Sequence, residues 1–187
     1  LVLGAGAGQS ATVAPAAPAA PTSATSTRIV LPGLGRDDGR QVTIAAGGDV
    51  MLGRTVGDLI ASGGAHTVFA GVRANLASAD IAIANLECAV GAGGTPEPKG
   101  YTFFAPPKAV AALKDGGIDV AGLANNHALD YGRETLTGER AMLDAGGIAH
   151  AGAGSDAAAA HAPASRVRNG MRIAFVAYAD VPVEFGG

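Results

Sequence analysis

Three short stretches of this 187-residue sequence carry side chains that could do chemistry together: Gly47-Gly48-Asp49, Asn85-Leu86-Glu87 and Asn125-Asn126-His127. Each follows a short apolar run, so carboxylates, carboxamides and an imidazole fall where three successive strands would finish, and open α/β sheets build their sites at such strand ends. Oxygen donors with one histidine suit hard or borderline divalent cations such as Mg, Mn, Fe or Zn, and do not suit a metal selected by thiolates. The pattern points to a metal-binding or hydrolytic site. Each residue also has an ordinary structural role open to it. Asp49 could cap a helix starting at Val50, Asn85 and Asn125 could satisfy turns, Glu87 could be solvated, and His127 could be structural. Recurrence in three units favours the functional reading, because independent caps have no reason to supply complementary ligand types. Asp130 lies three residues beyond His127, near enough to orient its ring, although Asp130-Tyr131-Gly132 could equally be a turn into the next helix.

The elements that must position these residues read as alternating strands and helices. Apolar runs at 42–46, 80–84, 119–124 and 172–178, with a weaker one at 148–151, predict strands. Helical patterns occupy 68–79, 106–115 and 133–145, and the pairs Gly116-Gly117 and Gly146-Gly147 mark left-handed caps closing the last two. Near-continuous apolar strands alternating with helices of about ten residues imply an α/β architecture with mainly parallel pairing.

Composition narrows the function classes. A net charge of -3 with 16% charged residues lacks the basic stripe of a nucleic-acid binder. One cysteine, Cys88, excludes an intramolecular disulfide framework and any multi-cysteine zinc module. With no basic neighbour to activate it, Cys88 reads as a small buried hydrophobe. His66, His150 and His161 have no ligand spacing to one another and read as surface or loop residues, and the cations Arg54 and Lys99 could meet an anionic substrate but, scattered as they are, read as solvated. Residues 1–27 are uncharged, with an apolar start followed by Ala, Pro, Ser and Thr in low-complexity order. Such a segment buries too little to order itself, and is expected to be a linker or the remnant of an export signal. Gly4-Ala5-Gly6-Ala7-Gly8 is no dinucleotide-binding turn, since Gln9 stands where the third glycine belongs and prolines at 15, 18 and 21 break the helix that must follow.

The segments Gly48-Asp49-Val50-Met51-Leu52-Gly53-Arg54, Ala84-Asn85-Leu86-Glu87 and Leu123-Ala124-Asn125-Asn126-His127-Ala128-Leu129-Asp130-Tyr131-Gly132 strongly resemble bacterial poly-gamma-glutamate capsule biosynthesis proteins of the CapA type, relatives of the calcineurin-like metallophosphoesterases. Pro98-Lys99-Gly100, Phe104-Ala105-Pro106 and Ala151-Gly152-Ala153-Gly154 follow in the expected order. The resemblance implies a metallophosphoesterase-like sandwich of two sheets flanked by helices, of which 28–187 would be the N-terminal portion. It implies Asp49, Glu87 and Asn126 as ligands of divalent metal (Mn, Fe, Zn or Mg), and His127 as the acid or transition-state stabiliser. Asp130 would orient His127, and Asn85 and Asn125 would support the ligands from behind.

The same resemblance implies an exported, cell-surface or membrane-associated protein working on an anionic polymer or phosphoester alongside membrane-bound capsule synthesis proteins. A metal-dependent hydrolase of the phosphoesterase type and a non-catalytic scaffold are the other readings. Proteins of this type carry further histidines downstream of the strand at 172–178, whereas after His127 this sequence holds only His150 and His161. The 187 residues are therefore expected to bind metal weakly and to hydrolyse little by themselves.

Overall fold

The structure, a computed structural model, describes residues 39–180; the reading of 1–27 as a linker lies outside these residues. Strand β1 (Ile44–Val50) leads into helix α1 (Arg54–Leu59), a π turn and a 3-10 turn, then helix α2 (Arg73–Ala77) and strand β2 (Ile81–Leu86). The short strands β3 (Ala89–Val90) and β4 (Phe104–Ala105) pair with each other before helix α3 (Ala109–Gly116) and strand β5 (Val120–Gly122). Helix α4 (Gly132–Gly146), strand β6 (Ala149–Ala151), helix α5 (Ala157–His161), and strands β7 (Ala164–Arg168) and β8 (Met171–Phe175) complete the order.

The central sheet has the order β1-β2-β5-β6, and every pair in it is parallel. Strand alternation divides the core between its two faces. From β2, Ala82, Ala84 and Leu86 turn to the helical side and join Leu76 of α2, Val110 and Leu113 of α3 and Leu143 of α4. Ile81 and Ile83 turn the other way, to Val120, Ala151 and the β7–β8 residues Ala164, Ile173 and Phe175. The result is an α/β layer structure, a parallel sheet flanked by helices on one face with a two-stranded hairpin on the other. This architecture is consistent with a fragment of a metallophosphoesterase-like fold.

The amino end of the sheet is closed by polar contacts. Asp80 Oδ2 accepts the Thr43 N–H and hydroxyl, both at 2.8 Å, and these donors hold the Asp80 carboxyl below the usual carboxylate range. Arg166 donates to the carbonyls of Asp119 and Gly147 at 2.9 Å each, while Arg168 donates to the Asp80 carbonyl and pairs with Asp119 at 3.1 Å. With the amino end tied down by β7, the carboxyl end is left to the loops that carry the candidate residues.

Two sequence expectations change and one alternative is excluded. The run 172–178 does not extend the parallel sheet: β8 pairs antiparallel with β7 through an Asn169-Gly170 turn with both residues at positive φ, the type I′ hairpin geometry. Helix 68–79 shrinks to α2, because the chain turns around Phe69, whose carbonyl accepts the N–H groups of Val72 and Arg73 and whose ring packs on Gly116 at the end of α3. Asp49 caps no helix; it lies within β1, and α1 starts after Gly53. The caps at Gly117 and Gly147 are left-handed as predicted. Among the described residues no helix is long and apolar enough to cross a membrane.

Candidate functional site

Asp49 reaches the site because β1 contains one residue more than its partner needs. Ala46 faces Ile83, but Asp49 faces Asn85, so the ladder absorbs an extra residue at Gly47-Gly48. Gly48 takes φ +65, a conformation open to glycine and costly for other residues. The bulge sets Asp49 opposite Asn85, and Asn85 in turn faces Gly122 at the end of β5. Three strand ends thus meet in one register.

Two carboxamides link the meeting point. Asn85 Nδ2 donates to Asp49 Oδ1 at 2.9 Å and also to Glu87 Oε2, which places one neutral donor between two carboxylates. Asn85 Oδ1 accepts from Asn125 Nδ2 at 3.0 Å. Asn125 Nδ2 donates as well to the Leu86 carbonyl at 2.9 Å, and Asn125 Oδ1 accepts the His127 N–H at 2.9 Å. Both amides use their donor and acceptor ends, which fixes their orientation.

The network continues into a buried pair. His127 Nδ1 lies 2.7 Å from Asp130 Oδ2, with Asp130 fully enclosed. An ionised carboxylate only accepts, so Nδ1 carries the proton of this hydrogen bond and Nε2 is the nitrogen left for chemistry. Asp130 also accepts the Phe103 N–H and pairs with Lys99, whose Nζ donates to the Asn126 carbonyl at 2.6 Å. The Phe103 ring lies 4.1 Å from the His127 ring, and the Arg54 guanidinium sits 4.7 Å from the Phe103 centroid. A cleft of about 1020 Å³ opens beside this pair, lined by Lys99, Tyr101, Phe103, Asn126, His127 and Arg133 among others. Asn125 lines it too, whereas Asp49, Asn85 and Glu87 lie outside its lining and connect to it through Asn125.

The structure thus joins Asp49, Asn85, Glu87, Asn125, His127 and Asp130 by hydrogen bonds, and places Asn126 on the cleft wall with its backbone held by Lys99. Lys99 is not the solvated cation expected from sequence, since it is engaged with Asp130. His150 is a half-buried strand residue of β6, 3.2 Å from Asp144; burial lowers its pKa, against the opposing pull of Asp144. His66 is exposed, and exposed His161 packs at a tilt against Tyr178, with ring centroids 5.4 Å apart. Cys88 is buried, as its surroundings in sequence suggested, and burial pushes its thiol up to about 12. No sequence pattern marks Phe103, which falls between the family-like stretches Pro98-Lys99-Gly100 and Phe104-Ala105-Pro106.

Asp49 and Glu87, bridged by one amide, offer hard oxygen donors. Among the described residues no group of three or more His, Cys, Asp and Glu side chains converges tightly enough to hold a metal ion. Asp49 and Glu87 by themselves do not make a closed cage.

A parallel-sheet α/β domain with polar residues joined across three consecutive strand ends places the protein among those that build their sites on the carboxyl edge of a sheet. The chain belongs to the bacterial capsule synthesis protein family PGA_cap, whose model matches residues 43–185. It is 27% identical over 158 residues to the capsule biosynthesis protein CapA of Bacillus anthracis, covering 82% of this chain and 38% of that protein. It is 34% identical over 126 residues to the uncharacterized protein y4sH of Sinorhizobium fredii, covering 64% of this chain and 26% of that protein. A probable polyglutamine synthesis accessory protein of Mycobacterium tuberculosis is 39% identical over 82 residues, covering 43% of this chain and 22% of the relative. The chain therefore spans well under half the length of these curated relatives.

Proposed function

We propose that the protein works in the synthesis or export of an anionic capsular polymer of the poly-gamma-glutamate type, as an exported or membrane-associated component acting beside membrane-bound synthesis proteins. The observation that carries the chemical part of this reading is the hydrogen-bonded chain from Asp49 through Asn85 and Asn125 to His127 and Asp130. Family membership supports the capsule role. In this reading Asp49, Glu87 and Asn126 would hold a divalent cation (Mn, Fe, Zn or Mg), completed by donors from outside the described residues. Such a cation, when bound, supplies Lewis acidity and a water of lowered pKa.

The chain's own residues have separate tasks. Asp130 fixes the Nδ1 proton of His127, so that Nε2 can exchange a proton with a group seated in the cleft. Lys99 offsets the buried Asp130 charge and holds the Asn126 backbone. Asn85 keeps the two carboxylates at a set separation. Asn125 ties them to the loop that bears His127.

A second reading, a phosphoesterase-type hydrolase, is favoured by the buried His127–Asp130 pair beside a cleft, and it is compatible with polymer handling. The test expresses the full reading frame with Asp49→Ala or His127→Ala in a capsule-forming host. Loss of polymer by both variants, at unchanged protein level and circular dichroism, is the expected result; unchanged polymer points to a scaffold and overturns the chemical role. In parallel, turnover of aryl phosphates with Mn, Zn or Fe tests the hydrolase reading, and no turnover with any of them counts against it.

A further inference from the structure

We propose that Phe103 is a positioning residue for His127, acting on both members of the His127–Asp130 pair at once. This rests on the reading of His127 as the group that serves the cleft.

Phe103 touches the pair in two independent ways. Its backbone N–H donates to Asp130 Oδ2, the same oxygen that meets His127 Nδ1. Its ring lies against the imidazole with centroids 4.1 Å apart and planes inclined by 30°, close enough for the two rings to touch over much of one face. The first contact fixes where the carboxylate oxygen stands. The second restricts rotation of the imidazole about the axis that the hydrogen bond leaves open. One hydrogen bond at Nδ1 defines a direction but not a ring plane; a ring against one face defines the plane, and with it the direction of Nε2.

The segment around Phe103 is itself anchored to the loop it serves. The Glu97 N–H donates to the Asp130 carbonyl at 2.9 Å, and Lys99 grips both the Asp130 side chain and the Asn126 carbonyl. Immediately downstream, β4 is held to β3, with the Ala89 N–H donating to the Phe103 carbonyl at 3.0 Å. Phe103 is therefore fixed from both sides and can transmit that rigidity to His127. On the ring, the Arg54 guanidinium at 4.7 Å adds a cation–π contact that further limits its movement.

The experiment follows the imidazole N–H proton of His127 by NMR in the 187-residue chain, assigned by its disappearance in His127→Gln. A buried, carboxylate-bonded N–H exchanges slowly with water and gives a resolved resonance. In Phe103→Leu the resonance is expected to broaden to loss, while the amide spectrum away from the site keeps its dispersion. In Phe103→Tyr, which keeps the ring, the resonance is expected to return. A sharp, wild-type resonance in a folded Phe103→Leu overturns the proposal. Should Phe103→Leu fail to fold, nuclear Overhauser contacts between the Phe103 and His127 rings in the unaltered chain decide it: their presence supports the proposal and their absence overturns it. None of these signals depends on turnover, so failure of the positioning role and failure of the capsule reading are told apart.

Discussion

Glu139 gives the most direct test of how burial sets energetics in this fold. It lies on α4 and is 1% exposed, and its Oε2 accepts the Val90 N–H at 3.1 Å. Burial pushes its carboxyl from an ordinary 4.5 up to about 8, against the smaller opposing pull of the Val90 N–H. The native protein therefore keeps this proton to about pH 8, while the unfolded chain releases it near 4.5. Stability from this group is fully present below 4.5 and is lost as pH rises through about 8. At about 1.4 kcal/mol per pH unit, a window of some 3.5 units amounts to about 5 kcal/mol, of which about 3 kcal/mol is gone by pH 7. Glu139→Gln keeps an acceptor for Val90 and cannot ionise. Urea unfolding of both proteins from pH 4.5 to 9 should show the variant gaining on the parent by about 1.4 kcal/mol per unit, then levelling above pH 8. Glu139→Leu removes the acceptor and should lie about 1–3 kcal/mol below Glu139→Gln at every pH. A constant difference between Glu139→Gln and the parent across the series would show that the buried carboxyl is not held neutral, and the reasoning would fail.

Two further outcomes follow from the same geometry. Cys88, with its thiol pushed up to about 12, should react with a disulfide reagent at pH 8 about a thousandfold more slowly in the native protein than in denaturant, because so little thiolate is present; comparable rates would place the thiol at the surface. Asp130→Ala removes the partner of the Phe103 N–H, His127 and Lys99 together, and should lower unfolding stability by about 3 kcal/mol, read from the denaturant midpoint.

Much of the fold was legible because the sequence speaks in runs. The ends of β1, β2 and β5 were marked by apolar residues giving way to Asp49, Asn85 and Asn125, and α3 and α4 by glycine pairs that do cap them. Contacts made in space left weaker traces. The loss of helix around Phe69 depends on a ring packing against Gly116, 47 positions away. The hairpin at Asn169-Gly170 had a local signal, but the arginines of β7 masked a strand whose charged side chains reach across to the sheet's amino end. The bulge that sets Asp49 opposite Asn85 is a matter of residue count, so no side-chain pattern announces it. Phe103 and Lys99 act across 24–31 residues; Lys99 lies in a family-like stretch, but nothing in the sequence names its partner, and nothing marks Phe103 at all.

The parallel ladders have one more consequence, for how the chain assembles. Ile44 pairs with Ile81, Ile83 with Val120 and Val120 with Ala149, so successive strands meet across separations of 37, 37 and 29 residues. Loop-closure cost grows as the logarithm of length, and these separations differ by only about 0.2 kcal/mol in that cost. No strand is entropically expensive relative to its neighbour. The sheet can therefore grow by near-equal additions, and the polar chain from Asp49 to Asp130 is carried by β1, β2, β5 and the loop that follows β5.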